Sequence, residues 1–110
     1  MKLLIKGAYS IATDAGFSVH PKVIELLKEV DITGSLNSAV ANIGMSYSYA
    51  WNLINKTNCK LESPLIITKR GGNGGGVALL TPTGKALLEY CEKFEQEFND
   101  FIGTHHIDIK

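Results

Sequence analysis

The feature that most limits the fold of this chain is a pair of short amphipathic segments joined by Gly44-Met45-Ser46. Apolar residues recur at the spacing of one helix face on both sides of this turn: Leu36, Ala39, Val40 and Ile43, then Tyr47, Ala50, Trp51 and Ile54. Ser35 and Ser46 precede the two segments as N-caps, and Gly44 can take the left-handed conformation that ends the first helix. The pattern predicts a helix-turn-helix, and a helix hairpin unrelated to DNA is the alternative for this segment alone.

A strand pair around a glycine tract follows these helices. Pro64 precedes the β-branched run Leu65-Ile66-Ile67-Thr68, and Val77-Ala78-Leu79-Leu80 is the predicted partner strand. A nucleotide-binding loop is excluded because the tract leads into a second strand instead of a helix, with no Lys-Ser/Thr after it. The tract therefore predicts either a wing whose bare backbone N–H groups meet DNA, or a solvent-exposed hairpin tip.

The predicted fold class is α+β and mainly α, a winged helix-turn-helix with a short N-terminal hairpin and a long C-terminal helix. Residues 1–110 form one domain, with a hairpin at 1–20, helices 1 to 3 within 21–59, a wing at 64–81 and a fourth helix at 82–102. The first helix is expected over 21–31, and residues 103–110 are expected to fray.

Composition limits the class of protein. Hydrophobic residues make up 45% and charged residues 20%, which is typical of a globular protein. The apolar stretch between Lys2 and Lys6 is too short for a signal peptide or a membrane span, so we expect a cytoplasmic protein with no membrane contact. Cys59 and Cys91 lack metal-ligand spacing and should remain thiols. No catalytic residue, metal or cofactor is predicted, since His20, His105 and His106 have no suitably spaced partners.

The formal net charge is zero, but the charges are unevenly distributed. Residues 46–85 carry five basic side chains against Glu62 alone, whereas residues 86–110 carry six acidic side chains against two lysines. This asymmetry predicts a basic face and an acidic face with different roles, although two solvated surfaces without partners would show it as well.

Helix 3 carries the residues expected to read DNA. On the side away from its apolar stripe lie short polar side chains and Lys56, which suit insertion into the major groove. Trp51 is expected in the core. The full predicted DNA-binding set is Ser46, Tyr47, Ser48, Tyr49, Asn52, Asn55, Lys56, Lys69, Arg70, Gly72, Asn73 and Gly74, and Lys60 and Lys85 are expected to hold phosphates.

Helix 4 is expected to form a homodimer. Leu87, Cys91, Phe94, Phe98 and Phe101 advance by four and three residues in turn, the spacing of a coiled-coil seam. Two-fold pairing would place two recognition helices on an inverted-repeat site in double-stranded DNA. In the rival interpretation, the aromatic strip folds back onto the N-terminal hairpin within one chain.

With these residues identified, the chain resembles the DNA-binding domain of the ModE-type molybdate-responsive regulators and, more distantly, the LysR-type winged helices. The resemblance covers about residues 22–91 and is carried by Gly34-Ser35, Gly44-Met45-Ser46-Tyr47, Ala50-Trp51, Pro64-Leu65, Gly71-Gly72, Gly74-Gly75-Gly76, Leu80-Thr81-Pro82 and Gly84. It implies a dimeric winged helix-turn-helix that regulates transcription of molybdate-related genes.

The resemblance also marks a departure. The full-length regulators carry C-terminal oxyanion-binding domains, and this sequence ends before one could begin, so we expect a single-domain member and identify no small-molecule effector. The expected function is sequence-specific regulation of transcription. A winged-helix module that binds a protein partner through its acidic helix, or acts architecturally without specific DNA readout, is the alternative.

Overall fold

A computed structural model describes residues 1–69 and 76–110 of the chain. The helices are α1 (Pro21–Thr33), α2 (Leu36–Ile43), α3 (Tyr47–Lys60) and α4 (Pro82–Gly103). The strands are β1 (Lys2–Leu4), β2 (Ile11–Ala12), β3 (Ser18–Val19), β4 (Ile66–Lys69), β5 (Val77–Leu80) and β6 (His106–Asp108). Their order and pairing make a winged helix-turn-helix, as the sequence predicts. No helix among the described residues has the length and apolar character needed to cross a membrane.

Helix α1 forms the centre of the core. Pro21 occupies its first turn, and the Nδ1 atom of His20 accepts the Lys22 N–H at 3.0 Å. Val23, Leu26, Leu27 and Val30 are fully buried, so the helix presents one apolar face to α2 and α3. It continues to Thr33, two residues beyond the predicted end, and stops where Gly34 adopts a left-handed φ of 69°.

The helix-turn-helix has the predicted caps. The Ser35 hydroxyl accepts the Ser38 N–H and the Ser46 hydroxyl accepts the Tyr49 N–H, both at 3.3 Å. Between the helices, Gly44 has a φ of 68°, a conformation that favours glycine because other residues meet a steric penalty there. These three residues fix the direction in which α3 leaves the turn.

The wing packs one face onto the helices. Strands β4 and β5 are antiparallel, with Ile66 opposite Leu80 and Lys69 opposite Val77. Ile66, Ala78 and Leu80 point into the core, while Ile67 and Leu79 are exposed. The Ala78 N–H donates to the Gly34 carbonyl at 3.0 Å, which joins the wing to the end of α1.

The two ends of the chain differ from the prediction. Only β2 and β3 form the N-terminal hairpin, with Gly16 at a φ of 96° in its turn. Strand β1 pairs instead with β6, placing Leu3 opposite Ile107. The expectation that residues 103–110 fray was therefore wrong, because β1 and β6 satisfy each other's backbone hydrogen bonds.

Gly84, in the first turn of α4, is buried against the backbone of Leu65. An added Cβ would collide with the Leu65 carbonyl, and neither backbone can move without separating α4 from the wing. We expect Gly84→Ala to lower the free energy of unfolding by about 1–3 kcal/mol, measured by urea denaturation followed by circular dichroism.

Gly103→Ala is the matched control, because a Cβ at the last residue of the same helix would meet no atom within 4 Å. It should leave the free energy of unfolding unchanged or slightly higher, since alanine favours the helix. Equal stability of the two variants would contradict the close contact between α4 and the wing.

Candidate nucleic-acid interface

Helix α3 presents a polar outer face. Its buried side consists of Ala50, Ile54 and Thr57, and the Thr57 hydroxyl donates to the Leu53 carbonyl at 2.8 Å. Most of the predicted α3 contact residues are exposed around the rest of the helix, and Asn55 is half-buried at the edge: Ser46, Tyr47, Ser48, Tyr49, Asn52, Asn55 and Lys56. The structure therefore groups these predicted residues on one surface.

The predicted apolar stripe of α3 is wrong at two positions. Tyr47 and Trp51 are each 46% exposed, although the sequence placed Trp51 in the core. Successive residues on a helix are rotated by about 100°, and the buried face is centred on Ala50 and Thr57. Trp51 consequently lies about a quarter turn from the centre of that face, on the side towards the wing.

Asn58 attaches α3 to the first strand of the wing. Its Nδ2 donates to the Ile66 carbonyl at 3.0 Å, and its Oδ1 accepts the Leu65 N–H at 2.9 Å. Sequence reasoning missed this residue, because an asparagine near a helix end is also typical of a solvent-exposed position. The two bonds fix the position of the wing relative to the outer face of α3.

A cleft of about 560 Å³ separates α3 from the wing. Aromatic, aliphatic and polar side chains line it together: Leu36, Asn37, Tyr47, Ser48, Trp51, Asn52, Thr68, Lys69, Gly76 and Val77. Lys69 is the one charged side chain among these described residues, so the formal charge of the described lining is positive.

The basic residues expected to hold phosphates lie on the surface. Lys56, Lys60, Lys69 and Lys85 are exposed. The ion pairs formed within residues 1–69 and 76–110 are Lys22–Glu25, Lys28–Glu95 and His106–Asp108, none of which involves these four lysines. Their charge is therefore not neutralised by a described carboxylate. Arg70, Gly72, Asn73 and Gly74 lie outside the described residues, and their roles stay predictions.

The predicted dimer seam on α4 divides into an inner and an outer part. Cys91 is only 2% exposed, and Leu87 is half-buried with its side chain packed against the core. Phe94 is 38% and Phe101 is 66% exposed, and Phe98 is half-buried. The exposed aromatic surface of the seam thus begins at Phe94.

Tyr9 covers part of this surface. Its ring meets Phe94 and Phe98 edge-on, with centroid distances of 4.9 and 5.5 Å. The rival interpretation named the N-terminal hairpin as the intramolecular partner of the strip. The observed contact comes from the same chain, but from Tyr9, which lies just before the hairpin strand β2. Phe101 remains exposed beyond it.

The environment of Cys91 opposes thiolate formation. Burial raises the pKa of the Cys91 thiol and the negative charge of Glu95 adds to the rise, partly offset by Lys28. A thiol that stays protonated is a weak nucleophile, and Cys91 acts as a small apolar side chain in packing. No group of three or more potential metal ligands comes together in the part of the chain that the structure describes.

Comparison with known proteins identifies related sequences. The chain is 37% identical over 76 residues to the DNA-binding transcriptional dual regulator ModE of Escherichia coli K12, covering 69% of this chain and 29% of that protein. It is 32% identical over 93 residues to the molybdenum transport protein ModE of Azotobacter vinelandii, covering 84% and 34%. It is 41% identical over 69 residues to the transcriptional regulator ModE of Yersinia pestis, covering 63% and 26%.

The chain is a homologue of the ModE transcriptional regulators. The matched region covers 26–34% of the length of these relatives. No family model matches the chain. A solved structure of Bordetella bronchiseptica BpsR, whose DNA binding is regulated by 6-hydroxynicotinic acid, shares the fold with a TM-score of 0.60 and 17% identity, covering 76% of this chain and 60% of that one.

The Asn58 contacts lead to a stability prediction. Asn58→Ala removes both hydrogen bonds and leaves the partly buried Leu65 N–H and Ile66 carbonyl without their partner. We expect the free energy of unfolding to fall by about 1–3 kcal/mol in urea denaturation. Asn52→Ala, on the exposed face of the same helix, is the control and should change it by less than about 0.5 kcal/mol. Unfolding of Asn58→Ala at the parent's urea midpoint would show that the asparagine does not hold the wing.

Proposed function

We propose that this chain is a sequence-specific, double-stranded DNA-binding regulator of transcription, and that the genes it regulates concern molybdate. The observation that supports this proposal best is the exposed polar face of α3, which lies beside a wing and carries lysines that form no ion pair with a described carboxylate. Homology to regulators named for DNA binding and molybdenum transport supports it independently.

The groove-reading role belongs to three residues. Ser48, Asn52 and Lys56 follow one another at intervals of four, so their side chains share one line along the exposed face. Asparagine can pair bidentately with adenine, lysine can reach guanine, and serine can bond either edge of a base. Such side chains carry sequence preference, because each presents donors or acceptors at a defined position along the groove.

Phosphate contacts surround this line. Ser46 and Tyr47 lie at the N-terminus of α3, where backbone N–H groups and the helix dipole favour an anion. Lys60 near the end of α3 and Lys69 at the end of β4 supply positive charge on either side. Contacts of this kind fix register and orientation on the duplex without reading its sequence.

Two variants distinguish a residue proposed to read base sequence from a residue proposed to contact phosphates. Asn52→Ala should cost about 1–3 kcal/mol on a selected duplex and reduce preference at one base pair. Lys69→Ala should weaken binding to selected and random duplexes alike and lower the slope of affinity against salt by about one. Fluorescence anisotropy of labelled duplexes at several salt concentrations measures both effects.

Asn99→Ala, an exposed asparagine on α4 away from α3, is the control and should bind as the parent does. If Asn52→Ala kept the full preference for the selected duplex, α3 would not be the reading element. Absence of DNA binding by the parent protein would instead favour a protein-interaction module.

We further propose that the outer half of α4 pairs two copies of the chain. The described residues extend 65 Å and have a radius of gyration of 17.0 Å. A compact chain of this length would have a radius of about 13 Å. Beyond Cys91, α4 has no fully buried residue, and Tyr90, Phe94 and Phe101 are 72%, 38% and 66% exposed.

Burial against a second copy of the chain would account for the exposure of these aromatic rings. Contiguous exposed aromatic surface is unusual on a monomer, and burying each ring stabilises an interface by about 1.5–3 kcal/mol. Two-fold pairing of α4 would set two α3 helices at a fixed separation, which predicts an inverted-repeat DNA site.

Phe101→Glu tests the pairing with little effect on the fold, because this ring is the most exposed of the three phenylalanines in the predicted seam. We expect the parent to sediment as a dimer at micromolar concentration and the variant as a monomer, since a buried carboxylate would be desolvated without a partner. Ile32→Glu, at a position near the end of α1 that is 76% exposed, should remain dimeric. A folded parent that sediments as a monomer would refute the pairing.

A further inference from the structure

Trp51 is an exposed aromatic residue without a role in the protein core. It is the only tryptophan of the chain, and 46% of its surface is exposed on the side of α3 that faces the wing. Within residues 1–69 and 76–110, no hydrogen bond occupies its indole N–H. Tryptophan is a donor only, so an interface that orders this side chain should offer it an acceptor.

The cleft beside Trp51 has the chemistry of a binding site for an anionic strand. Lys69 contributes the positive charge, and no described acidic residue lines the cleft. Asn37, Ser48 and Thr68 add polar groups around the rings of Tyr47 and Trp51. A mixture of one cation, hydrogen-bond donors and apolar rings matches the alternating phosphate and deoxyribose units of a nucleic-acid backbone.

The direction of the side chain distinguishes a backbone contact from base readout. Asn52 lies about 200° from Ala50 around the helix and faces away from the core, whereas Trp51 lies about 100° from it and faces the wing. If Asn52 entered the major groove, Trp51 would face one wall of the groove, and the cleft between α3 and β4 would lie along one sugar-phosphate strand.

We propose that the cleft receives one sugar-phosphate strand of the bound duplex, with the Trp51 Nε1–H donating to a phosphate oxygen and its ring packing on a deoxyribose. Lys69 neutralises negative charge on the phosphates of the same strand. The inference rests on the proposed DNA binding and adds to it the residue that holds the strand between helix and wing. Trp51 thus contributes affinity for every sequence and no preference among sequences.

The single tryptophan provides a direct test. Titration with duplex DNA should change the intrinsic fluorescence of Trp51 with the same midpoint as the anisotropy of a labelled duplex. Trp51→Phe keeps an aromatic ring but loses the N–H, and should bind selected and random duplexes about tenfold more weakly, with their ratio unchanged. Because the residue is half exposed, thermal unfolding of this variant should match the parent.

The double variant Trp51→Phe/Ile32→Trp is the control for the optical signal. It moves the tryptophan to an exposed position at the end of α1, outside both the cleft and the proposed pairing surface, where DNA should leave its fluorescence unchanged.

The outcomes separate this inference from the proposed function. A parent that shows no anisotropy change with any duplex overturns both. If the parent binds DNA but Trp51 fluorescence stays constant and Trp51→Phe binds with the parent's affinity, the cleft assignment alone is overturned. A Trp51→Phe variant weakened only on the selected duplex would show that the ring reads a base, which also overturns the backbone contact.

Discussion

The backbone of Leu65 is the point on which the arrangement of the DNA-binding elements depends. Its N–H donates to the Asn58 side chain on α3 at 2.9 Å, and its carbonyl accepts the Thr81 N–H at 3.0 Å. Thr81 is buried, donates its hydroxyl to the Pro64 carbonyl at 2.6 Å and accepts the Gly84 N–H at 2.9 Å. Gly84 then brings α4 directly against Leu65. Three elements of the fold are therefore joined at one residue.

This junction connects the proposed DNA-reading face of α3 to the proposed dimer surface on α4. Because α3, the wing and α4 meet at Leu65, the direction of α4 is fixed relative to the outer face of α3. A dimer built on α4 would inherit that fixed angle and hold its two reading helices at one separation. Each bond at the junction is partly or fully buried, where leaving a donor or acceptor unmade costs about 1–3 kcal/mol. The same cost opposes any movement of the wing that would break these hydrogen bonds.

Local chemistry made the helical part of the fold predictable from sequence. The capping bonds of Ser35, Gly44, Ser46 and Thr81 join residues at most five positions apart, so these capping roles can be read from a short window. The pairing of β1 with β6 joins residues about a hundred positions apart and has no local signal. Trp51 was misplaced because an apolar stripe can be drawn through Tyr47 and Ala50 or through Ala50 and Thr57, and only tertiary packing selects the second.

For the candidate site too, the local features could be predicted from the sequence and the long-range contacts could not. Exposed polar residues on one helix face follow from periodicity, so the exposure of Asn52 and Lys56 could be predicted. Asn58 acts through Leu65 and Ile66, seven and eight residues along the chain, on a strand whose position depends on tertiary packing. The cleft around Trp51 likewise exists only because the wing lies beside α3, and residue patterns along a single element cannot show a space between two elements.

The N-terminal segment has a specific consequence for α4. Beyond Cys91 the helix leaves the core, and the described contacts that support it there include Tyr9 on Phe94 and Phe98 and Gly7 near Phe98 and Ile102. Edge-to-face pairs contribute about 0.5–1.5 kcal/mol each beyond the area they bury. The outer half of α4 is thus held in place by its own chain. In the proposed dimer, less conformational entropy would be lost on association, because these aromatic side chains are already partly ordered. Intramolecular packing of the strip and the proposed dimerisation, which the sequence presented as rivals, are therefore compatible.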